Sequence, residues 1–591
     1  MILCENRVPI GAIYVKKGIQ EQYWKEKEML AAAELRFYLS RITTAPFQSR
    51  DFENDTLPGI YLGSVSGLDV SDLGDDGYRI VCEGDKLRLN GGARGLFYGV
   101  YAFLERLGCR FFTPKCEKIP LCTTLSVEDF SEDGKPAFEY REMDYADVTE
   151  NPYYCMKMRL NGHYQNLPDE MGGGIRYASH AHSFSWLVPV EKYGKEHPEY
   201  YALFNGKRLN GEKDYWQLCL TNPDVLKIAV ESVRQRLRKN PGAKIISISQ
   251  NDNTNHCQCE ACLQADKEEG SPAGTLLRFV NAMAEQLEDE FPDVLFDILA
   301  YHYTRPASHL TRARKNVCIR ICASSTCYTH PYDVCPDRSR AVVHPDGTKT
   351  VFFDDLKAWS RVCDRLYVWD YTSNFQLYPL PFPNWHVLQR NLQVLRQYHV
   401  KGVFEEANRA SGGGVDFNEL RCYLLSKLLW NPDCDMEALK REFMEYYYGA
   451  AAEPLSRYLD LLCQKNEEAD NHIYIQQRER PPYLTDECLV EYNALFDEAE
   501  RAVQGDGLRL SRVQRNRLSI RFCSLYWALT ADKVCDSEAL HAFFDDAHEH
   551  GILKLDEWAC YQKTYRALLD GRTDGGRWYT EPPVSDGNEM F

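Results

Sequence analysis

Two adjacent carboxylates, Glu405 and Glu406, end an apolar run and open a glycine-rich loop in GVFEEANRASGGG (402–414). Another acid, Asp252, ends a separate apolar run within SQNDN (249–253). Two carboxyl groups on separate strands can provide the proton donor and the second carboxylate that glycosidic bond cleavage needs. Side chains alternate along a strand, so only one of the two adjacent glutamates can face a site shared with Asp252. We predict Glu405 and Asp252 as a catalytic pair.

Further polar and aromatic side chains follow the same and neighbouring apolar runs. Amides suit sugar hydroxyls and aromatic rings stack on sugar faces, so this composition favours a carbohydrate site. An acid that holds its proton at pH 7 needs apolar walls, which Phe404 and Trp369 can supply. For any single carboxylate, a helix cap or an arginine ion pair is the structural alternative. The predicted substrate-binding residues are His180, His182, Asn251, Tyr301, Tyr303, Trp369, Tyr371, Asn374 and Glu406.

The segment HCQCEAC (256–262) is the most metal-like pattern in the chain. Cys257, Cys259 and Cys262 offer three thiolates, and His256 or a distant cysteine would be the fourth ligand. The spacing departs from a paired C-x2-C motif, so we rank a structural zinc knuckle below packed thiols. The chain has no H-E-x-x-H, no G-x-x-x-x-G-K-[ST] and no G-x-S-x-G. We therefore expect no cofactor.

Eight apolar runs with strand character lie between residues 135 and 430, and several are separated by helical patterns. This alternation predicts parallel strands and, at this length, an α/β fold of the (β/α)8 TIM-barrel type. An open doubly wound sheet is the rival, but no G-x-G-x-x-G follows an early strand. In a barrel, the carboxyl ends of the strands would gather the polar residues named above. The eight runs are FEYREMDY, MRLNGHY, ASHAHSF, KIISISQND, LFDILAYHY, VCIRICA, RLYVWDY and GVFEEAN.

Sequence patterns on either side of the barrel region predict two further domains. Residues 1–132 alternate short strands with two helical patterns, which indicates a small accessory α/β domain. Residues 133–434 would form the barrel. From residue 435 to residue 591 the apolar spacing is helical, which predicts a C-terminal helical domain.

Composition excludes several classes of partner. The net charge of −18 disfavours nucleic acid, and no apolar run reaches the ~20 residues that cross a bilayer. The first residues, MILCENRVPIGAIYVKKG, lack the pattern of a signal peptide, and the 22 cysteines are scattered. We expect reduced thiols and a cytoplasmic location, with an oligosaccharide or glycan as the partner. The oligomeric state is left open.

The segment RGLFYGVYAFLERLGCRFFTP (94–114) resembles the domain that precedes the barrels of α-glucuronidases and β-hexosaminidases. As a set, five later segments resemble glycoside hydrolase family 163. The resemblance implies an endo-β-N-acetylglucosaminidase that cleaves the chitobiose core of N-glycans, with retention and assistance from the substrate acetamido group. The five segments are HPEYYALFNGKR (197–208), QLCLTNPDV (217–225), SQNDNTNHCQCEAC (249–262), AYHYTRP (300–306) and VFEEANRASGGG (403–414).

The same resemblance implies roles for the two acids. Glu405 would be the general acid/base and Asp252 would orient the acetamido group, although the two roles are exchangeable. The chain has Glu406 where the family pattern has glutamine. One alternative is an α-glucuronidase-like or other exo-glycosidase with a basic clamp of Arg159, Arg176 and Arg409. The other alternative is a non-catalytic carbohydrate-binding protein on a barrel scaffold.

Overall fold

The computed structural model describes residues 1–16, 22–344, 346–477, 479–530 and 536–557. The chain divides into two compact units. Unit 1 comprises Met1–Gly174, Phe417–Ser456 and Ala494–Asn516. Unit 2 comprises Ile175–Asp416, Arg457–Asn493 and the described part of Arg517–Phe591. The predicted domain boundaries stay a prediction, and residues 558–591 of the third predicted domain lie outside the described residues.

Unit 2 contains five consecutive parallel strands, which we number β1 to β5. They coincide with five of the eight predicted runs, so the prediction of a mixed α/β fold with a parallel sheet is confirmed. Valine, isoleucine and leucine are frequent in these strands, and most of their residues are buried, as expected for a sheet covered on both faces. The strands are β1 (Ile245–Ser247), β2 (Leu295–Ala300), β3 (Val317–Cys322), β4 (Leu366–Tyr371) and β5 (Val400–Glu406).

The three other predicted runs differ from these five. FEYREMDY yields the strand Tyr140–Met143 in unit 1. MRLNGHY forms no strand, because Arg159 has a φ of 58° and a 3-10 helix follows at His163–Gln165. ASHAHSF forms no strand of its own: a parallel bridge between Tyr177 and Ile245 lies just before it beside β1, and a φ of 48° at His182 ends the extended stretch.

The parallel sheet of unit 2 is curled. In a flat sheet, the segment beside β1 would lie about 24 Å from β5, since five strand spacings of about 4.8 Å separate them. The His180 ring on that segment nevertheless lies 5.3 Å from the Trp369 ring of β4 and 5.6 Å from the Phe404 ring of β5. The side chains on this face converge, so the strands form a half-barrel whose concave face carries His180, Trp369 and Phe404.

Helices connect the strands of unit 2 and cover its sheet. Local capping explains where two of them begin, since the side chain of Asn222 accepts from the Asp224 N–H and that of Ser271 from the Ala273 N–H, each just before a proline. The helices are Phe184–Leu187, Val190–Tyr193, Pro223–Lys239, Glu260–Glu269, Pro272–Leu287, Phe352–Val362 and Leu388–Gln397. Short hairpins pair Leu203–Phe204 with Lys207–Arg208 and Val342–Val343 with Lys349–Thr350.

Unit 1 has its own six-stranded sheet. The alternation of short strand and helical patterns in the sequence predicted α/β structure in this part of the chain. Its strands, in spatial order, are Phe130–Gly134, Tyr78–Glu83, Lys86–Gly91, Gly59–Leu62, Ala12–Val15 and Ser49–Asp51. Its longer helices in the first 174 residues are Gln22–Thr43 and Gly95–Arg106. Smaller strands are Ile2–Glu5, Val8–Pro9, Arg110–Thr113, Cys116–Lys118 and Leu125–Ser126.

The later part of the chain is helical, as its periodicity predicts. None of the helices among the described residues has the length and apolar character needed to cross a membrane. The helices are Asn418–Trp430, Met436–Tyr448, Ala452–Glu468, Asp486–Ala502, Gly507–Thr530 and Ser537–Glu549.

Candidate active site

The register of β4 and β5 separates the two adjacent glutamates. Trp369 lies opposite Phe404, so both share the concave face that His180 contacts. Alternation then puts Glu406 on the concave face with Phe404, while Glu405 points to the convex face. Glu406 is therefore the strand-end acid that accompanies the aromatic site residues.

On the convex face, Glu405 lies opposite Asp370 and both carboxyl groups are buried. The hydroxyls of Tyr328 and Tyr332 donate to Asp370 Oδ1 at 3.0 and 2.6 Å. Burial raises the pKa of Asp370 to about 6, and burial together with Asp370 raises the pKa of Glu405 well above its usual value. The side chain of Asp252, in contrast, is 64% exposed. The structure does not bring the predicted catalytic Glu405 together with Asp252.

The floor of the concave face is a buried ion pair between Arg320 of β3 and Asp297 of β2, with 3.1 Å between Nε and Oδ2. Tyr177 and Ser247 also donate hydroxyl hydrogens to Asp297, at 3.2 and 2.8 Å. Burial raises the pKa of Asp297, and the arginine opposes that rise. Arg320 further contacts His180, with 2.9 Å between Nη1 and Nε2. Sequence reasoning missed this pair, although a charged residue inside the apolar run VCIRICA was a usable signal.

Trp369 joins that floor to Glu406. Its ring lies under the Arg320 guanidinium, at 4.9 Å from the ring centroid, and its indole N–H donates to Glu406 Oε2 at 2.6 Å. A hydrogen bond to a carboxylate is strongest when the acceptor is ionised. This hydrogen bond therefore fixes the orientation of the half-buried Glu406 carboxyl group.

Asp252 follows β1 and lies next to Tyr301, which follows β2. The Tyr301 hydroxyl donates to Asp252 Oδ1 at 3.1 Å, and His302 Nε2 lies 3.8 Å from the same oxygen. Burial raises the pKa of Tyr301, and the charges of both Asp252 and Glu406 raise it further. The charges of both carboxylates thus act on one phenol, and we call the region at the carboxyl ends of the strands that contains Asp252, Tyr301, Trp369 and Glu406 the mouth.

The loop that carries Asp252 is held by Gln217. The Gln217 side chain accepts from the Asn251 N–H at 3.0 Å and donates to the Asn251 carbonyl at 2.8 Å. The Asn251 amide donates to the Trp216 carbonyl at 3.0 Å. Asn251, predicted to bind substrate, has this loop contact instead and fixes the position of its neighbour Asp252.

His182 stands beside the mouth in a defined tautomer. Its Nδ1 lies 2.8 Å from the carbonyl oxygen of Gln250, so Nδ1 carries the hydrogen and Nε2 can accept one. Its ring centroid is 6.3 Å from that of Tyr301. His182 can therefore accept a hydrogen bond from a substrate hydroxyl.

Three other predicted substrate-binding residues have different surroundings. Tyr371 lies opposite Glu406 in the register of β4 and β5 and is buried, and burial and the Glu406 charge raise its pKa well above its usual value. Asn374 is buried and accepts from the N–H groups of Gln376 and Leu377, which makes it a turn residue. Tyr303 stacks on His256 at 4.9 Å, in the region of the cysteine cluster.

A third carboxyl group, Glu557, lies near Asp252. The segment that carries it pairs with the loop after β4, where the Glu557 N–H donates to the Phe375 carbonyl at 3.0 Å and the Tyr378 N–H donates to the Leu555 carbonyl at 2.8 Å. Burial and then the Asp252 charge raise the pKa of Glu557 to about 7. No pattern in the sequence links this residue to the strand ends.

The three arginines of the glucuronidase alternative lie in different parts of the chain. The Arg176 carbonyl accepts from Lys244 and Ile245, at the amino end of β1 and so at the end opposite the mouth. Arg159 belongs to unit 1, where it forms an ion pair with Glu105. Arg409 lies in a 3-10 turn after β5.

Two groups of metal-ligating side chains occur in unit 2. Within each group, the ligating atoms lie within 4.8 Å of one another. The three cysteines predicted as a knuckle are joined by a distant cysteine, as one of the predicted alternatives had it. The groups are Cys219, Cys257, Cys259 and Cys262, and Cys327, His330, Cys335 and His472.

Residues 111–460 match the family described as "Domain of unknown function (DUF4838)". The match covers more than half of the chain, and the protein belongs to this family. The resemblance to glycoside hydrolase family 163 stays a prediction. No curated protein matches the sequence.

Solved structures similar to this chain include a GH138 enzyme targeting pectin rhamnogalacturonan II, with 10% identity, a TM-score of 0.45 and coverage of 96% of this chain and 77% of that one. A family 89 glycoside hydrolase from Clostridium perfringens, in complex with its substrate GlcNAc-alpha-1,4-galactose, has 9% identity, a TM-score of 0.49 and coverage of 95% and 68%. The family 89 enzyme in complex with PUGNAc has 10% identity, a TM-score of 0.49 and coverage of 91% and 68%. Identities of this size carry no information about a shared substrate.

Proposed function

We propose that this protein is a glycoside hydrolase whose reaction takes place at the mouth, with Glu406 and Asp252 as its carboxyl pair. The observation that carries the proposal is the position of Glu406. Glu406 lies on the concave face and accepts a hydrogen bond from the Trp369 N–H. Its charge and that of Asp252, which is hydrogen-bonded to Tyr301, both raise the pKa of Tyr301. Acids from two strands beside aromatic rings are what glycosidic bond cleavage requires. We take the curled sheet as part of a (β/α)8 barrel.

Each carboxyl group has a distinct role in this proposal. Glu406, with the Trp369 N–H on one oxygen, is the ionised group that stabilises positive charge at the anomeric carbon. Glu557 retains a proton near neutral pH, because burial and then the charge of Asp252 raise its pKa to about 7. The two neighbouring carboxyl groups, Glu557 and Asp252, deliver this proton to the leaving oxygen. Tyr301 holds Asp252 in position through its hydroxyl.

Among glycosides, we place β-linked N-acetylglucosaminides of N-glycans or of derived oligosaccharides first. The motif resemblance supports this substrate, and the acetamido group would then act as the internal nucleophile with retention of configuration. Electrostatics supports a neutral sugar, since three carboxyl groups near one opening disfavour a uronic acid. An exo-acting glycosidase on neutral sugars is the second candidate.

The test is digestion of a panel of N-glycans, chitooligosaccharides and aryl glycosides, with products read by mass spectrometry. We expect cleavage of β-N-acetylglucosaminides and no release from glucuronides. Cleavage of neutral glycosides that lack the acetamido group, at comparable rates, would contradict substrate assistance. Binding to glycans without hydrolysis of any of them would refute the enzyme proposal and favour a carbohydrate-binding protein.

A further inference from the structure

We propose that unit 2 holds two structural zinc ions, one bound by Cys219, Cys257, Cys259 and Cys262 and the other by Cys327, His330, Cys335 and His472. Neither site takes part in the chemistry of the proposed reaction. Each combines ligands from one short segment with a single ligand from far along the chain. All eight side chains are buried or half-buried. The donor sets are four thiolates and two thiolates with two imidazoles, both of which suit tetrahedral zinc.

Sulfur–sulfur distances in the first group match zinc coordination. Four sulfurs at about 2.3 Å from a tetrahedral zinc lie about 3.8 Å from each other. Cys219 Sγ lies 3.7 Å from Cys259 Sγ and 3.9 Å from Cys262 Sγ. A disulfide would need about 2.05 Å, so these separations describe four thiol groups around a common centre.

Donors surround the sulfurs of the first group. The Leu203 N–H donates to Cys257 Sγ at 3.4 Å, and an Arg208 N–H lies 3.9 Å from the same sulfur. The hydroxyl of Thr221 lies 3.2 Å from Cys262 Sγ. Hydrogen-bond donors and a positive charge around cysteine sulfurs stabilise thiolates, which are the form that binds metal.

Sulfur–nitrogen distances in the second group also fit. Tetrahedral zinc with Zn–S of about 2.3 Å and Zn–N of about 2.0–2.1 Å places sulfur and nitrogen about 3.5 Å apart. Cys327 Sγ lies 3.5 Å from His330 Nδ1 and 3.2 Å from His472 Nδ1. Cys335 Sγ lies 4.0 and 3.9 Å from the same two nitrogens. In both histidines, Nδ1 is therefore the ring nitrogen that faces the two sulfurs.

The surroundings of the second group resemble those of bound zinc. The other ring nitrogen of His330, Nε2, lies 4.0 Å from Asp470 Oδ1, and a carboxylate behind a histidine ligand raises its basicity. The Thr329 N–H donates to Cys327 Sγ at 3.3 Å. The segment from 327 to 335 also carries Tyr328, which donates to Asp370, so this centre would fix one hydrogen-bond partner of the buried Asp370 on the convex face.

The first centre would fix the loop that carries Asp252. Its ligand Cys219 lies two residues after Gln217, whose side chain clamps both sides of Asn251. Its ligand Cys257 lies five residues after Asp252. A zinc ion would therefore fix the segment of Gln217 and the segment after Asp252 to each other without contacting substrate.

The experiment is metal analysis of the full chain purified without chelator and without added metal, using untagged protein. We expect two zinc ions per chain, one in Cys219→Ser, one in His472→Asn and none in the double variant. Cys122→Ser, which lies outside both groups, is the matched control and should retain two. Hydrogen exchange should speed up around residues 249–253 in Cys219→Ser and not in His472→Asn.

The proposal is overturned if the parent, incubated with excess zinc and gel-filtered, retains less than half an equivalent, or if both single variants keep two. Iron in place of zinc would overturn the metal assignment. If the variants fail to fold, X-ray absorption spectroscopy at the zinc edge of the parent protein identifies the ligand atoms instead. The proposal requires an average first shell of three sulfurs and one nitrogen per zinc, and a shell of oxygen and nitrogen alone would refute it.

Discussion

Glu406→Gln and Glu405→Gln form a matched pair of variants, because the two neighbouring residues lie on opposite faces of β5. Glu406→Gln preserves the size of the side chain but removes the charge that the Trp369 N–H holds at the mouth. Opposite unit charges about 4 Å apart attract by about 4 kcal/mol at an effective dielectric constant of about 20. Losing that attraction in the transition state lowers kcat about a thousandfold.

Glu405→Gln is the matched control. Glu405 is buried on the convex face, and its pKa lies well above the usual value, so glutamine resembles its protonated form. We expect kcat close to that of the parent. The assay is release of an aryl leaving group at saturating substrate, with circular dichroism and thermal unfolding to show that both variants fold. Loss of activity in Glu405→Gln with an active Glu406→Gln would refute the assignment of faces.

Three further predictions concern single groups. Tyr301→Phe removes the hydroxyl that holds Asp252, so kcat should fall about tenfold with an unchanged thermal unfolding midpoint, and an unchanged kcat would contradict the positioning role. Activity should fall as pH rises through about 7, where Glu557 loses its proton, and in Glu557→Gln the alkaline limb of the pH profile of kcat/KM should no longer lie near pH 7; a limb that stays in place would exclude Glu557. Asp370 has its pKa raised from 3.8 to about 6, so its stabilising contribution is full below pH 4 and is lost as pH rises through 6. Urea unfolding should therefore show Asp370→Asn gaining up to about 3 kcal/mol on the parent between pH 4 and pH 7, and an equal difference at both pH values would count against the buried carboxyl pair.

The sequence predicts the parallel strands well because burial on both faces leaves a local signal. Five apolar runs rich in β-branched residues became β1 to β5. The carboxyl ends of these strands also brought Tyr301, Trp369 and Glu406 together, since parallel strands end at one edge. The run MRLNGHY failed because its backbone turns at Arg159, where a positive φ is not readable from apolar spacing.

The face of each glutamate could not be read from the sequence. Alternation separates Glu405 from Glu406, but both faces of β5 are buried, so polarity does not mark the concave one. The pairing with β4 also shifts by one residue at Lys401, between the partners Val400 and Gly402, which resets the alternation partway along the strand.

Long-range partners were equally out of reach. Cys219 joins the HCQCEAC segment from 43 residues before Cys262, and Glu557 reaches the loop after β4 through two backbone hydrogen bonds. Contacts of this kind depend on how connections fold over the strand ends, and they leave no periodic signal in the chain.

The most direct test of the mouth is a crystal structure of Glu406→Gln soaked with a β-N-acetylglucosaminide oligosaccharide. We predict a sugar ring against Trp369, with its anomeric carbon about 4 Å or less from the side chain at position 406 and its scissile oxygen facing Asp252. A sugar bound in the convex-face cluster of Glu405 and Asp370, or bound with its scissile bond away from Asp252, would contradict the account.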